Sequence, residues 1–224
     1  KAGGGFSALK EIGMGALREL GAAATNAALG GLKALGGAVM DGIADAREAA
    51  KINAQTAAVI KSTGQAAGVS AEHVADYAAS LSAAAGKSLF GDSQIQESTN
   101  LLLTFTNIKG TVLDAATAIS VDMAQALGGA PKDAAIQLGK ALNDPVKGIT
   151  ALTRVGVTFS DEQKDMIQAM VDTGDVAGAQ AIILAELNKE FGGSAEAAAA
   201  ADGGWAFISY INKLFIVIRQ ASLR

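Results

Sequence analysis

Between Ala134 and Ala197 the chain carries a helix start or stop signal at nearly every turn, and that punctuation limits it to short helices in a fixed order. Asn143 and Asp144 end a first helix that holds Ile136, Leu138 and Leu142 on or near one face. Pro145 suits the first turn of a second helix, with Asp144 as its N-cap, because an amide at that position has no intrahelical partner to lose. Val146, Ile149, Leu152 and Val155 then recur at helical spacing as far as Gly156, which can take the left-handed conformation of a C-cap. Val157, Thr158 and Phe159 are too few and too β-prone for a helix, so they read as an extended link ending in Ser160. Ser160 with Gln163 forms a capping-box pattern, and Asp161 and Glu162 put negative charge at the positive end of the helix dipole. The third helix has Met166, Ile167, Met170 and Val171 as its stripe. Thr173-Gly174-Asp175 closes it and caps a fourth, striped by Val176, Ala179, Ile183, Leu187 and Phe191 and ended by Gly192 and Gly193. Local signals that agree in this way specify a compact helical domain.

Upstream the same grammar continues. The composition turns polar and Gly-punctuated from Ser62 to Ser70, which places a domain boundary there. Ser70 caps the next helix, with Val69 and Val74 as a hydrophobic staple and Val74, Tyr77, Leu81 and Ala85 as the buried face, up to Gly86. Gly91-Asp92-Ser93 opens a helix whose Ile95, Leu101, Leu102, Leu103 and Phe105 are mostly core, and Asn107 to Gly110 breaks it. Val112, Ala116, Ile119, Met123 and Leu127 stripe another helix, ended by Gly128 and Gly129, before Pro131 begins the helix that enters the opening stretch.

The two ends differ from this middle. In residues 1–61 three groups, Phe6, Leu9 and Ile12, then Leu17 and Leu20, then Leu32, Leu35, Val39, Ile43, Ala46 and Ala50, each keep internal spacings of three and four, the pattern of a helix seam. Eight glycines between 13 and 42 weaken it by roughly 1 kcal/mol each relative to alanine. Two readings stand: a segment that bundles with copies of itself, or a flexible or membrane-active arm. As a continuous helix from Phe6 to Ile60 it would extend about 80 Å. Residues 194–224 begin as alanine-rich linker and end in an apolar amphipathic helix, where Trp205, Phe207, Ile208, Ile211, Leu214, Phe215 and Ile218 crowd one broad face. That run is shorter than the ~20 apolar residues of a bilayer span. With Lys213 and Arg219 beside it, it suits a membrane interface or a docked partner. The expected architecture is therefore all-α: an elongated segment over 1–61, a compact multi-helix domain over 62–193, and the C-terminal apolar helix within 194–224.

Composition narrows the chemistry. The absence of cysteine removes disulfides and thiolate metal sites, and the single histidine, His73, has no second histidine to complete a site. His73 reads as a solvated residue between Glu72 and Asp76. A formal charge of −4 opposes general nucleic-acid binding, which needs a concentrated basic face. There is no Gly-x-Ser-x-Gly elbow and no phosphate-binding glycine loop. Glu186 and Glu190 lie one turn apart, as on any solvated helix face, rather than as a glycosidase pair. Asp161, Glu162, Asp172 and Asp175 fit helix caps better than a calcium site. The reading is of a non-enzyme with no metal and no cofactor. The KAGGG start, without an initiator Met, reads as the interior of a longer chain.

The segments LGKALNDPVKGITALTRVGVTFSDEQ and GDVAGAQAIILAELNKEFGGSAEAA, with QTAAVIKSTG and NLLLTFTNI upstream, closely resemble the phage tail tape measure protein family, in order, over roughly Asn53 to Ala200. At NIKGT the connection is shorter than the family leads one to expect. The resemblance implies a structural virion protein in the lumen of the phage tail. Such a protein sets tail length during assembly and is released with the genome during ejection, when it meets the host cell envelope. It further implies contacts with tail tube and distal tail or baseplate proteins, while the N-terminal seam adds the expectation of self-association in a helical bundle or coiled coil, as trimer or hexamer, and the acidic balance that of no specific nucleic-acid binding. For those contacts the residues offer Leu32, Leu35, Val39 and Ile43 in the N-terminal seam and the apolar face from Trp205 to Ile218. The alternative reading is a membrane-active helical protein that inserts in or permeabilises the host envelope for DNA passage.

Overall fold

The computed structural model describes residues 44–84 and 89–201, and every regular element among them is helical. The chain divides into two compact units, Lys1–Ala49 and Ala50–Arg224. Of the first, residues 44–49 are described, and they are helical. In the second, helix α1 occupies residues 50–62. It is followed by α2 (Ala71–Ala84), α3 (Asp92–Leu103), α4 (Thr111–Leu127), α5 (Pro131–Asn143), α6 (Pro145–Leu152), a 3₁₀ turn (Thr153–Val155), α7 (Asp161–Asp172) and α8 (Val176–Phe191). A last helix, α9, covers 194–201.

The capping residues act where the sequence places them. The Asp144 carboxylate accepts the Lys147 amide at 3.3 Å and that of Asp175 accepts the Gly178 amide at 2.9 Å. At the start of α7 the box closes both ways: the Gln163 amide donates to Ser160 Oγ at 3.2 Å, and the Ser160 amide donates to Gln163 Oε1 at 2.8 Å. Ser70 Oγ accepts the His73 amide at 3.0 Å. Gly128 and Gly156 stop their helices with φ of +68° and +97°, values that favour a residue without Cβ.

α5 is the hub, packing against α3, α4 and α6. Its Ala134, Ala135, Leu138, Ala141 and Leu142 are buried, together with Leu102, Leu113, Met123, Ile149, Leu152, Ile183 and Leu187 from the surrounding helices. Two glycines let elements approach closely. The Phe105 ring lies where a side chain at Gly139 would stand, and Gly148 in α6 lies against the Ala141 backbone. Val157 and Phe159 are buried and Thr158 is exposed, so the extended link alternates inward, outward, inward.

Several expectations shift. The compact unit begins at Ala50, not near Ser62: Ile52, Thr56 and Ile60 are buried, and the Gly110 amide donates to the Ala67 carbonyl at 2.9 Å. The polar stretch 62–70 is thus a tight connector. On α2 the buried line is Val74, Ala78 and Ser82, one residue round from Tyr77 and Leu81, which are half-buried; Ala85 and Gly86 lie outside the described residues. Met166 is 49% exposed, because α7 buries a narrow ridge centred on Ile167, with Met170 and Val171 on its flank. Ile136 shares the outward strip of α5 with Lys132 and Lys140, and Leu127 lies in the exposed last turn of α4.

Candidate docking surfaces

None of the anticipated contact residues falls within the described structure. Leu32, Leu35, Val39 and Ile43, and Trp205, Phe207, Ile208, Ile211, Leu214, Phe215 and Ile218, all lie outside the described residues. The described surface offers two apolar grooves instead.

The first runs between α4 and α8 and encloses about 520 Å³, floored by Val112, Ala115, Ile119 and Leu184, with Ala185 and Asn188 on one wall and Asp122 at one end. Amphipathic helices that meet with alanines at their border leave such a trough, since a methyl group cannot fill the space between two helix cylinders. The second groove, of about 470 Å³, lies between α1, α3 and the first turn of α5, lined by Gln55, Ala58, Val59, Glu97, Leu101 and Lys132. Asn100 borders it and has a buried Oδ1 without a hydrogen-bond partner.

Asp122 joins the first groove to the end of the described chain. Its Oδ1 accepts the Ala195 amide at 2.9 Å and its Oδ2 accepts the Gly193 amide at 3.2 Å. A carboxylate from α4 therefore caps α9, where unpaired amides and the helix dipole favour negative charge. Ala195 is buried beside Ala78, Ile95 and Val121, so α9 is held at its first turn.

The buried polar groups are structural ties. Gln180 Nε2 donates to the Leu142 carbonyl at 2.8 Å and to the Asn107 carbonyl at 3.0 Å, joining α8 to the end of α5 and to the break after α3. Gln96 Nε2 donates to Asn53 Oδ1 at 2.7 Å and Thr56 Oγ1 at 2.9 Å. Between α3 and α4, Thr99 Oγ1 lies 3.2 Å from Thr117 Oγ1, and Ser98 Oγ lies 3.4 Å from Ser120 Oγ.

The titratable residues singled out in the sequence are engaged locally. His73 Nε2 lies 2.9 Å from Asp114 Oδ1 and its ring stacks on Tyr77, so the histidine reaches across to α4 rather than standing alone in solvent. Burial, and then the Asp114 charge, push the Tyr77 hydroxyl above its ordinary range. Glu186 accepts Gln163 Nε2 at 2.8 Å and Lys189 Nζ at 2.9 Å; these hydrogen bonds hold its carboxyl below the usual range and tie α7 to α8. Asp161 is lowered by its hydrogen bond and ion pair with Lys164, and Glu162 by its own backbone amide and the Ser160 hydroxyl. Asp172 accepts Gln168 Nε2 at 2.7 Å. Among the described residues no cluster of three or more metal-ligating side chains forms.

Sequence reasoning overlooked Asp122 and Gln180. Each had a visible signal: a polar residue in the apolar register, beside Val121 and Met123 in one case and after Ala179 in the other. Comparison with known protein families, with curated proteins and with solved structures finds no match to this chain.

Proposed function

We propose that this chain is part of a phage tail tape measure protein, a structural virion component that sets tail length during assembly and leaves with the genome at ejection. The reading rests on the resemblance between Asn53 and Ala200, since no family or relative carries it. One observation supports it: the resembling stretch LGKALNDPVKGITALTRVGVTFSDEQ supplies the second half of the hub helix α5 together with α6 and the extended link, and its Leu138, Leu142, Ile149, Leu152, Val157 and Phe159 are all buried. The resemblance therefore lies in residues that hold a domain together, not in a scattered surface pattern.

In this reading the domain from Ala50 is an anchoring module, and the seam of residues 1–43 belongs to the ruler. Leu32, Leu35, Val39 and Ile43 form the contact between copies in a trimeric or hexameric bundle within the tail lumen. The test is genetic and geometric. Duplicating residues 6–43 in the phage or prophage that encodes the chain lengthens the tail by about 57 Å, at 1.5 Å per helical residue. Tails of unchanged length in electron micrographs defeat the proposal. Light scattering on the chain, with and without residues 1–49, reads the bundle separately: an oligomer that falls to monomer on deletion is expected.

The membrane-active reading rests on the Gly/Ala-rich arm of residues 1–61 and on the apolar run from Trp205 with Lys213 and Arg219. No helix among the described residues is long and apolar enough to cross a membrane. Leakage of dye from anionic vesicles at micromolar protein tests it directly, and intact vesicles would remove it.

A further inference from the structure

The α4–α8 groove has a mostly apolar lining, with Thr111, Asp122 and Asn188 as its polar members, and an open top, and the chain itself carries a segment of matching size and chemistry. We propose that the groove is the seat of residues 205–218 of the same chain, docked as a helix. That segment lies outside the described residues; its reach, length and complementarity assign it to the groove independently of the tail reading.

Reach comes from Asp122, which stands at the end of the groove and also holds the Gly193 and Ala195 amides. From Ser194 to Ala201 α9 covers about 10 Å. The four further steps to Trp205 add at most about 14 Å. Trp205 is thus tethered within about 25 Å of one end of the groove. Its length along α4, from Thr111 to Asp122, is about 17 Å, and residues 205–218 make a helix of about 20 Å.

Complementarity runs large into small. The groove presents Ala115 and Ala185 between Val112, Ile119 and Leu184. The segment has no alanine between Phe207 and Ile218 and brings Phe207, Ile211, Leu214 and Phe215 at helical spacing. Gly203 and Gly204 precede it and allow the chain to reverse after α9. A short tether gives the segment an effective concentration in the millimolar range at its own groove, well above that of a second copy at micromolar protein. Docking also removes from water an apolar face that would otherwise cause association.

The chain lacks cysteine and has one tryptophan, so two clean probes exist. In the full chain carrying Ala185→Cys and Ile211→Cys, mild oxidation is expected to give an intramolecular disulfide on a species of monomer mass, and Trp205 emission is expected at the short wavelength of a buried indole. Ala185→Arg, on an exposed wall position, and separately Asn188→Arg should each shift that emission to longer wavelength with the helical circular dichroism unchanged. Disulfides formed only between chains would assign the groove to a second copy and overturn the proposal. So would Trp205 emission that is water-exposed in both parent and arginine variants, or that shifts only when lipid vesicles are added.

Discussion

The Asp122 carboxylate accepts the Ala195 amide at 2.9 Å across 73 residues of sequence, so the start of the last described helix is fixed by a side chain of α4. Asp122→Ala removes the acceptor and the charge together. A lost N-cap costs about 1 kcal/mol, and here the loss should stay local. Amide exchange is expected to speed up over 194–201 while α5 and α8 keep their protection. Exchange that rises across the whole unit would show that Asp122 supports the core instead.

Gln180 is buried, and Gln180→Leu is nearly isosteric and more hydrophobic. It should nevertheless destabilise by about 1–3 kcal/mol, because the Leu142 and Asn107 carbonyls then lose their donor. The urea midpoint reads this, and an unchanged or higher midpoint refutes it.

Gly148 and Gly139 separate two kinds of crowding. A methyl group at Gly148 meets the Ala141 backbone, which cannot move alone, whereas at Gly139 it meets the half-buried Phe105 ring, which can swing. Gly148→Ala is expected at the upper end of the ~1–3 kcal/mol overpacking range and Gly139→Ala at the lower end. Gly129→Ala, with open space and no positive φ, should leave the melting temperature unchanged. Equal losses at 139 and 148 would show that the Phe105 ring is as fixed as backbone.

Glu186 titrates below its ordinary value of 4.5 in the folded chain. Its contribution is therefore complete above the unfolded pKa and is lost as pH falls through the lower folded one, since in that window the unfolded state binds more protons. Stability should decline as pH drops below about 4.5, and Glu186→Gln should flatten the decline over that window. An identical acid profile for the variant would mean that the pairing with Gln163 and Lys189 does not persist in solution.

Most of the helical order was legible because each boundary is decided within a few residues. Asp144 with Pro145, Ser160 with Gln163, and Asp175 before Val176 act through contacts three residues apart, which sequence displays directly. What stayed hidden depends on which helices meet. Asp122 and Gln180 bond partners 38 to 73 residues away, and nothing local to either names the partner. The stripe drawn through Tyr77 and Leu81 was one residue out, because the small Ala78 and Ser82 carry little hydropathic signal yet permit closer approach. Met166 misled in the opposite sense, since a large apolar side chain is no guide to burial on a helix covered along a narrow ridge. The docking surfaces were least legible, because a groove belongs to two or three helices at once and no single sequence stripe contains it.

The hydroxyl pairs between α3 and α4 have a further consequence. Thr99 faces Thr117 and Ser98 faces Ser120, while each hydroxyl also lies within reach of a carbonyl of its own helix. Each pair has two protons for three contacts, so no pair can be satisfied in every direction at once. What the seam supplies is alignment. Helices faced with alanine and leucine could slide by a turn at small cost, but displaced hydroxyls would land against methyl groups. In a fold so poor in distinctive side chains, these four small residues set the vernier by which two otherwise interchangeable surfaces find a single setting.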